Sequence, residues 1–173
     1  MLHEHAKIMA LINQTGEIEG RKKLQKIVYI AKKMDFPFYE KYQFHMYGPY
    51  SEELTLRVEE MCELEFVTEV KEQQTGYQHY RYELSDKGRE FLSVMAEGFP
   101  EETEILQEMN GYSIRFLELV STVLYFEELS REEVTAKVSN WKAKLNYTQE
   151  DVDKAYAYIG RLRNNTFAVL NRV

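Results

Sequence analysis

Four residues at steps of four, three and four positions form the most suggestive chemical pattern in the sequence: Lys22, Lys26, Tyr29 and Lys33. On a helix this spacing places them along one stripe, with apolar residues on the opposite face. No acidic residue interrupts the segment 21–33. A basic stripe with an aromatic ring could hold phosphates or an acidic protein partner. The alternative is a solvated lysine face, and the spacing alone favours that simpler interpretation.

A second group of candidate contact residues surrounds a predicted turn and a predicted two-stranded ribbon. Tyr47, Gly48 and Pro49 lie at the turn, and Tyr77 and Tyr80 lie on the ribbon. Tyrosine side chains often anchor protein interfaces, although half-buried packing is the alternative for most of them. A ribbon has two faces and only one can be fully covered, so we expect some aromatic exposure there.

No arrangement of residues predicts catalysis or metal binding. His3 and His5 point apart on a helix, and no Cys or Asp pair follows that could complete a metal site. The single cysteine, Cys62, has glutamates near it in sequence, and acids raise the pKa of a thiol, which makes it a poor nucleophile. A glycine-rich phosphate loop and a serine elbow are both missing. We therefore expect no enzymatic activity, no cofactor and no metal.

The composition indicates a folded protein of the cell interior. Of the 173 residues, 44% are hydrophobic and 13% aromatic, which is enough for a packed core. One cysteine, no signal peptide and no apolar stretch long enough for a membrane helix together predict a cytoplasmic location. The net charge of −7 argues against general nucleic-acid binding, because phosphate contacts require a positive surface.

The first half of the chain alternates between helical and extended patterns. Apolar spacing predicts helices over 2–14 and 21–34, with residues 17–20 as a short connection. An extended segment over 42–47 then precedes a Gly48-Pro49 turn and a helix capped by Ser51 that ends near Leu64. Alternation predicts two strands within 66–84, followed by a helix capped by Ser85. This order is typical of a winged helix with one extra strand inserted.

Phe99-Pro100 marks a predicted boundary, beyond which every pattern is helical. We predict a winged-helix-like domain over 1–97 and a helical C-terminal region over 98–173, so the fold class is α+β. Val134, Val138, Trp141 and Leu145 follow a coiled-coil-like spacing that needs an apolar partner. The helical region therefore predicts a two-fold homodimer, the commonest closed assembly.

The predicted helix over 51–64 argues against DNA reading, although this helix enters the major groove in many winged-helix proteins. Its outward face carries mostly acidic residues: Glu52, Leu56, Glu59, Glu60 and Glu63. Such a face lacks the Arg and Lys that position a helix on the DNA backbone. The long segment 35–50 also replaces the tight turn of a helix-turn-helix. An acidic face with an exposed leucine suits a basic protein partner better, and a solvated face is the alternative.

Two segments resemble a known family. Residues 23–29 (Lys-Leu-Gln-Lys-Ile-Val-Tyr) and residues 47–49 (Tyr-Gly-Pro) resemble the Panacea (SocA-like) domain, and the whole chain is similar to the YwgA-like proteins of bacilli. Residues 82–88 also resemble the wing-to-helix junction of many winged-helix proteins. The Panacea-like resemblance implies non-enzymatic protein binding, either to neutralise a toxin or to deliver a client to a protease.

These observations predict a regulatory or adaptor protein that binds an unknown protein partner. The contact surface would combine Lys22, Lys26, Tyr29 and Lys33 with the turn at 47–49 and the ribbon tyrosines. One alternative is a transcriptional regulator that binds DNA as a dimer through its C-terminal helices. Another is a small-molecule sensor with a pocket between the two parts of the chain.

Overall fold

The computed structural model describes the backbone of residues 2–74, 77–95, 98–141 and 145–170, and their side chains except those of 74, 77, 78, 141 and 166–170. These residues form eight helices: α1 (His3–Thr15), α2 (Arg21–Lys33), α3 (Glu52–Glu63), α4 (Asp86–Met95), α5 (Thr103–Gly111), α6 (Ile114–Tyr125), α7 (Arg131–Trp141) and α8 (Gln149–Leu170). They also form five strands: β1 (Ile18–Glu19), β2 (Gln43–His45), β3 (Gly48–Tyr50), β4 (Val67–Gln74) and β5 (Tyr77–Leu84). The fold class is α+β, which confirms the prediction. None of the described helices combines the length and apolar character needed to cross a membrane.

The main sheet has three antiparallel strands in the order β1-β5-β4. Val67 of β4 pairs with Leu84 of β5, so the predicted ribbon over 66–84 is confirmed. The prediction that 17–20 is only a connection is wrong, because Ile18 of β1 pairs with Tyr82 and is fully buried. Two residues are too few to show alternation, and this strand exists because the edge of β5 is available to it.

The second sheet is a hairpin of β2 and β3, inserted between α2 and α3. The sequence predicted one strand over 42–47 and a turn at Gly48-Pro49. Instead, β2 ends at His45, the chain turns at Met46 and Tyr47, and Gly48 already pairs with His45. Gly48 has φ of 91°, a conformation that glycine adopts without strain. Gly48 therefore follows the turn and begins β3, and it is not one of the two central residues of the turn.

Helix α3 begins where the sequence places it. The Ser51 hydroxyl accepts a hydrogen bond from the Leu54 amide at 3.1 Å, and two glutamates occupy the first turn, where the helix dipole favours acids. Leu54, Val58 and Met61 form the buried face, as predicted.

One continuous apolar core extends across the predicted boundary between residues 97 and 98. Helix α6 packs against both α2 and α8, and every residue from 117 to 124 is buried. Val134 and Val138 of the predicted coiled-coil-like spacing are covered within the chain, while the side chain of Trp141 lies outside the described residues. Two separate domains and a dimer through the C-terminal helices both stay predictions.

The end of α1 is fastened to α5 through one glutamine. The Gln14 side chain donates to the Pro100 carbonyl at 3.0 Å and accepts from the Glu102 amide at 2.8 Å. In return, the Gln107 side chain donates to the Gln14 carbonyl at 3.1 Å. Hydrogen bonds between residues about 90 positions apart in sequence thus hold the end of α1 against α5.

The start of α4 is fixed against the start of the ribbon. The Ser85 amide donates to the Phe66 carbonyl at 3.0 Å, and the Ser85 hydroxyl accepts from the Gly88 amide at 2.9 Å, which confirms the predicted cap. Gly88 lies so close to this carbonyl that a Cβ atom placed there would be 2.1 Å from the Phe66 oxygen. The helix can approach the ribbon only because residue 88 has no side chain.

A buried ion pair fixes the segment that links α2 to the hairpin. The Glu40 side chain is 0% exposed and forms an ion pair with Arg57 of α3. The Lys32 ammonium donates to the Glu40 carbonyl at 2.5 Å. The described residues supply no hydrogen-bond donor to the Oε1 atom of Glu40, so Arg57 is the principal compensation for this buried charge.

Glu127, two residues after α6, joins two other helices. It forms ion pairs with Lys33 of α2, at 3.0 Å, and with Arg163 of α8. Partial burial alone would raise the pKa of the Glu127 carboxyl, but the hydrogen bonds from Arg163 and Lys33 outweigh it and lower the pKa.

Replacing Glu127 with glutamine is expected to lower the free energy of unfolding by no more than about 1 kcal/mol at neutral pH, because the pair is partly exposed to solvent. A lowered pKa in the folded state stabilises the fold above the ordinary carboxyl pKa of 4.5, and this contribution is lost as the pH falls through the lower value. Urea unfolding of both proteins between pH 3 and 7 tests this. A difference that grows toward low pH would contradict the assignment.

Candidate partner-binding cleft

A cleft of about 390 Å³ opens between α2 and the hairpin, in the size range of ligand sites. Helix α2 contributes Arg21, Lys22, Gln25 and Lys26. The hairpin contributes His45, Met46, Tyr47, Gly48 and Tyr50, and α3 contributes Thr55. Three of these residues are cationic, and none of the described lining residues is acidic. The cleft lies within residues 21–55 rather than between the two predicted parts of the chain.

Gln25 builds the floor of the cleft. Its amide group donates to the Ser51 carbonyl at 2.9 Å and accepts from the Ser51 amide at 2.9 Å. It also donates to the Thr55 hydroxyl at 2.9 Å, and that hydroxyl shares a hydrogen bond of 2.8 Å with the Tyr50 hydroxyl. Gln25 therefore fixes the first turn of α3 against α2, and it holds one wall of the cleft in place.

Lys26 fixes the hairpin, which forms another wall of the cleft. Its side chain is 2% exposed, and the ammonium donates to the Pro49 carbonyl at 2.8 Å. A Cβ atom at Gly48 would lie 3.3 Å from the Thr122 hydroxyl of α6 and 3.4 Å from the Lys26 ammonium. The hairpin thus packs tightly between α2 and α6, and the glycine lets it do so. The Gln25-Lys26 pair of α2 and the Gly48-Pro49 pair of the hairpin therefore form one structural joint, which fastens the hairpin to α2.

The rim of the cleft exposes apolar and aromatic side chains. Met46 is 75% exposed and Tyr47 is 50% exposed, both at the hairpin turn. The Lys22 ammonium lies 3.4 Å from the centre of the Tyr47 ring, a cation–π contact across the opening. The exposed His45 ring lies 5.1 Å from the Tyr50 ring. The opening therefore combines positive charge with apolar surface.

Arg21 connects the cleft to the ribbon. Its guanidinium donates to the Tyr82 hydroxyl at 2.7 Å and to the Glu69 carboxylate at 3.1 Å. The Tyr82 hydroxyl in turn donates to Glu69 at 2.7 Å. Burial, together with the hydrogen bond to Glu69, raises the pKa of Tyr82, so the phenol stays neutral at physiological pH. The Glu69 carboxylate compensates the positive charge of Arg21. The positive charge that remains at the opening of the cleft lies mainly at Lys22.

The residues of the predicted contact surface separate into three groups. Lys22, Lys26, Tyr47 and Gly48 line the cleft, and the carbonyl of Pro49 supports it. Tyr29 and Lys33 lie elsewhere, since the Tyr29 ring is buried against Tyr42 at 4.8 Å and Lys33 forms an ion pair with Glu127. Tyr80 is half-buried, with the Arg21 guanidinium 5.3 Å from the centre of its ring, and the side chain of Tyr77 lies outside the described residues.

The prediction of a solvated stripe is wrong for Lys26 and Tyr29, which are both buried. Helical spacing places residues on one face but does not show which faces a neighbour will cover. Here α6 and the hairpin cover the middle of the stripe. Burial raises the pKa of Tyr29, which excludes a phenolate role at neutral pH.

Sequence reasoning missed Arg21, Gln25 and Met46 as residues of the site, and it considered His45 at a surface pocket beside the turn but favoured a structural role for it. Arg21 directly precedes the basic stripe, and Gln25 stood inside the family-like segment. Met46 became recognisable only because the structure places the turn at 46–47 rather than at 48–49. A predicted strand that ended before Met46 would have placed Met46 in the turn, where its side chain is exposed.

Groups suited to catalysis are dispersed through the described part of the chain. His5 lies 3.4 Å from Glu60, His79 lies 3.2 Å from Glu72, and His45 is at the cleft. Burial and the nearby Glu69 raise the pKa of the half-buried Cys62 thiol. Within these residues no three His, Cys, Asp or Glu side chains come together as a metal site. Lack of enzymatic activity stays a prediction.

Comparison with known proteins places the chain within a bacterial family. No family model matches the sequence. The chain is 55% identical over 163 residues to the Bacillus subtilis (strain 168) protein described as "Uncharacterized protein YwgA". The match covers 94% of this chain and 98% of that relative. At this identity over nearly the whole of both proteins, the chain belongs to the family of YwgA.

Proposed function

We propose that this protein is a non-enzymatic regulatory or adaptor protein that binds another protein through the cleft and its rim. The observation that carries the proposal is the open cleft of about 390 Å³, with Met46 and Tyr47 exposed at its mouth. Exposed aromatic and methionine side chains beside a preformed cavity are typical of protein-binding surfaces. The joint around Gln25 and Lys26 holds this surface rigid, which reduces the entropy lost on binding.

The element order supports a winged-helix interpretation of the first half. Helix α1, strand β1, helices α2 and α3 and the ribbon of β4 and β5 follow the order of that fold, and β1 pairs at the edge of the ribbon. The hairpin of β2 and β3 is then an insertion between the two helices that carry DNA recognition in other winged-helix proteins. The resemblance of residues 23–29 and 47–49 to the Panacea domain is in keeping with a protein-binding use of this insertion.

A DNA-binding regulator is the second candidate, favoured by the same element order. Two observations make it the weaker one. The outward face of α3 carries exposed Glu52, Glu59 and Glu63, and the one arginine of that helix, Arg57, is committed to Glu40. Phosphates approaching α3 would meet carboxylates rather than cations.

The rim is tested by capture of partners from cells of the native host. The double variant Met46→Ala/Tyr47→Ala is expected to retain at least about tenfold less of the partner protein than wild type does. Truncating a central anchor residue of an interface commonly costs about 2 kcal/mol or more of binding free energy. The variant Tyr39→Ala/Val94→Ala removes two similarly exposed side chains elsewhere and serves as the control. Quantitative mass spectrometry of the retained proteins provides the measurement.

Recovery of the same proteins by wild type and by the rim variant would refute the proposed surface. Duplex DNA of specific sequence retained more tightly than roughly micromolar at physiological salt would instead establish the second candidate.

A further inference from the structure

Positive charge in the cleft lacks an anion at one position. Lys26 is buried against the Pro49 carbonyl, and Arg21 is balanced by Glu69. Among the described residues Lys22 has no carboxylate partner, and its ammonium rests on the Tyr47 ring. An exposed cation–π contact is worth only about 0.5–1 kcal/mol, so an incoming carboxylate can join Lys22 or replace the ring. The opening is electrostatically complementary to an anion.

The surface beside Lys22 is apolar. Met46 and Tyr47 project from the hairpin turn, and methionine adapts to differently shaped apolar partners. A purely ionic ligand would leave these side chains uncovered. The occupant that satisfies both features carries a negative charge and an apolar side chain within a few residues of each other.

Nucleic acid fits this surface poorly. Glu59 and Glu69 line a small hollow that shares Arg21, Gln25 and Thr55 with the cleft. Each strand of a nucleic-acid duplex carries one phosphate per about 3.4 Å of helix axis, so a duplex that placed one phosphate at Lys22 would bring several more to a surface that includes these carboxylates. An acidic peptide can place one or two carboxylates at Lys22 and present neutral residues to the neighbouring glutamates.

We propose that the cleft binds an acidic peptide segment of the partner protein. This inference rests on the proposed function. A carboxylate side chain of the segment pairs with Lys22, with His45 at the same opening, and an adjacent aliphatic or aromatic side chain packs on Met46 and Tyr47. The joint behind the cleft fixes the backbone at 49–51 against α2, close to both features.

The experiment selects peptides from a random dodecapeptide library displayed on phage, using the full-length protein. Wild type is expected to enrich sequences with Asp or Glu beside an aliphatic or aromatic residue. The most enriched sequence is then synthesised with an amidated C-terminus and a fluorescent label, and its affinity is measured by anisotropy. The variant Lys22→Glu is expected to weaken binding at least tenfold, and 0.5 M salt to weaken it severalfold.

Lys71→Glu is the matched control, because it makes the same charge change at an exposed position of β4. It should leave the affinity within about twofold of wild type. Enrichment of basic or neutral sequences, no enrichment at all, equal weakening by both variants, or tighter binding of an eight-residue oligothymidylate would each overturn the proposal. If the rim variant still loses the partner from host cells in any of these cases, the proposed function stands and only the ligand class is wrong.

Discussion

Replacing Arg57 with alanine is expected to lower the free energy of unfolding by about 3–5 kcal/mol, the range measured when one partner of a buried ion pair is removed. The Glu40 side chain is fully buried, and this substitution removes its ion-pair partner. The hairpin should loosen as well, because Glu40 also holds Lys32 through its backbone carbonyl. Urea unfolding followed by circular dichroism gives the measurement.

Arg89→Ala is the control for this experiment. Arg89 pairs with Asp86 at 2.8 Å, but both side chains are largely exposed, so the loss should stay below about 1 kcal/mol. The double variant Glu40→Leu/Arg57→Leu should recover much of the stability that Arg57→Ala loses, because the uncompensated charge is then removed. A loss below 1 kcal/mol for Arg57→Ala would show that solvent reaches Glu40.

Replacing Gly88 with alanine is expected to lower the free energy of unfolding by about 2–3 kcal/mol, within the range for overpacked sites. The added methyl group would lie 2.1 Å from the backbone oxygen of Phe66, which cannot rotate away as a side chain could. Helix α4 or the start of β4 must shift, and the hydrogen bonds through Ser85 would lengthen. Thermal unfolding provides the measurement.

Gly160→Ala is the matched control, because it makes the same substitution at an exposed position in the middle of α8. A Cβ atom there meets nothing within 4 Å. Alanine is a better helix former than glycine, so this variant should gain about 0.5–1 kcal/mol. Two glycine-to-alanine changes of opposite sign would separate the packing effect from helix propensity. A gain at Gly88 would mean that α4 lies farther from the ribbon.

Features of the fold that depend on local sequence were predictable. The alternation within 66–84 predicted the ribbon, and Ser51 and Ser85 predicted two helix starts that their hydroxyl groups now confirm. Strand β1 was missed because its two residues acquire their structure only from pairing with β5. The hairpin turn was misplaced because Gly-Pro is a common turn signal, while here the glycine relieves crowding against α6.

The candidate site was predictable only in part, for a physical reason. Residue type and spacing identified Lys22, Lys26, Tyr47 and Gly48, but they did not distinguish lining residues from supporting ones. Lys26 resembled a solvated lysine, and only tertiary packing shows it buried beneath the hairpin. Gln25 gave no chemical signal by itself, because its importance comes from the backbone of Ser51, 26 positions away.

The fastening of α1 to α5 has a consequence for protein synthesis. Helix α1 has an apolar face, with Ile8, Met9, Leu11 and Ile12 all buried in the finished fold. Part of its cover arrives with Gln107, 93 residues after Gln14. At about 5–20 residues per second the ribosome needs roughly 5 to 20 seconds to make that stretch. During this interval the apolar face of α1 lacks the cover that α5 supplies in the finished fold, so the nascent chain exposes hydrophobic surface until α5 has been made.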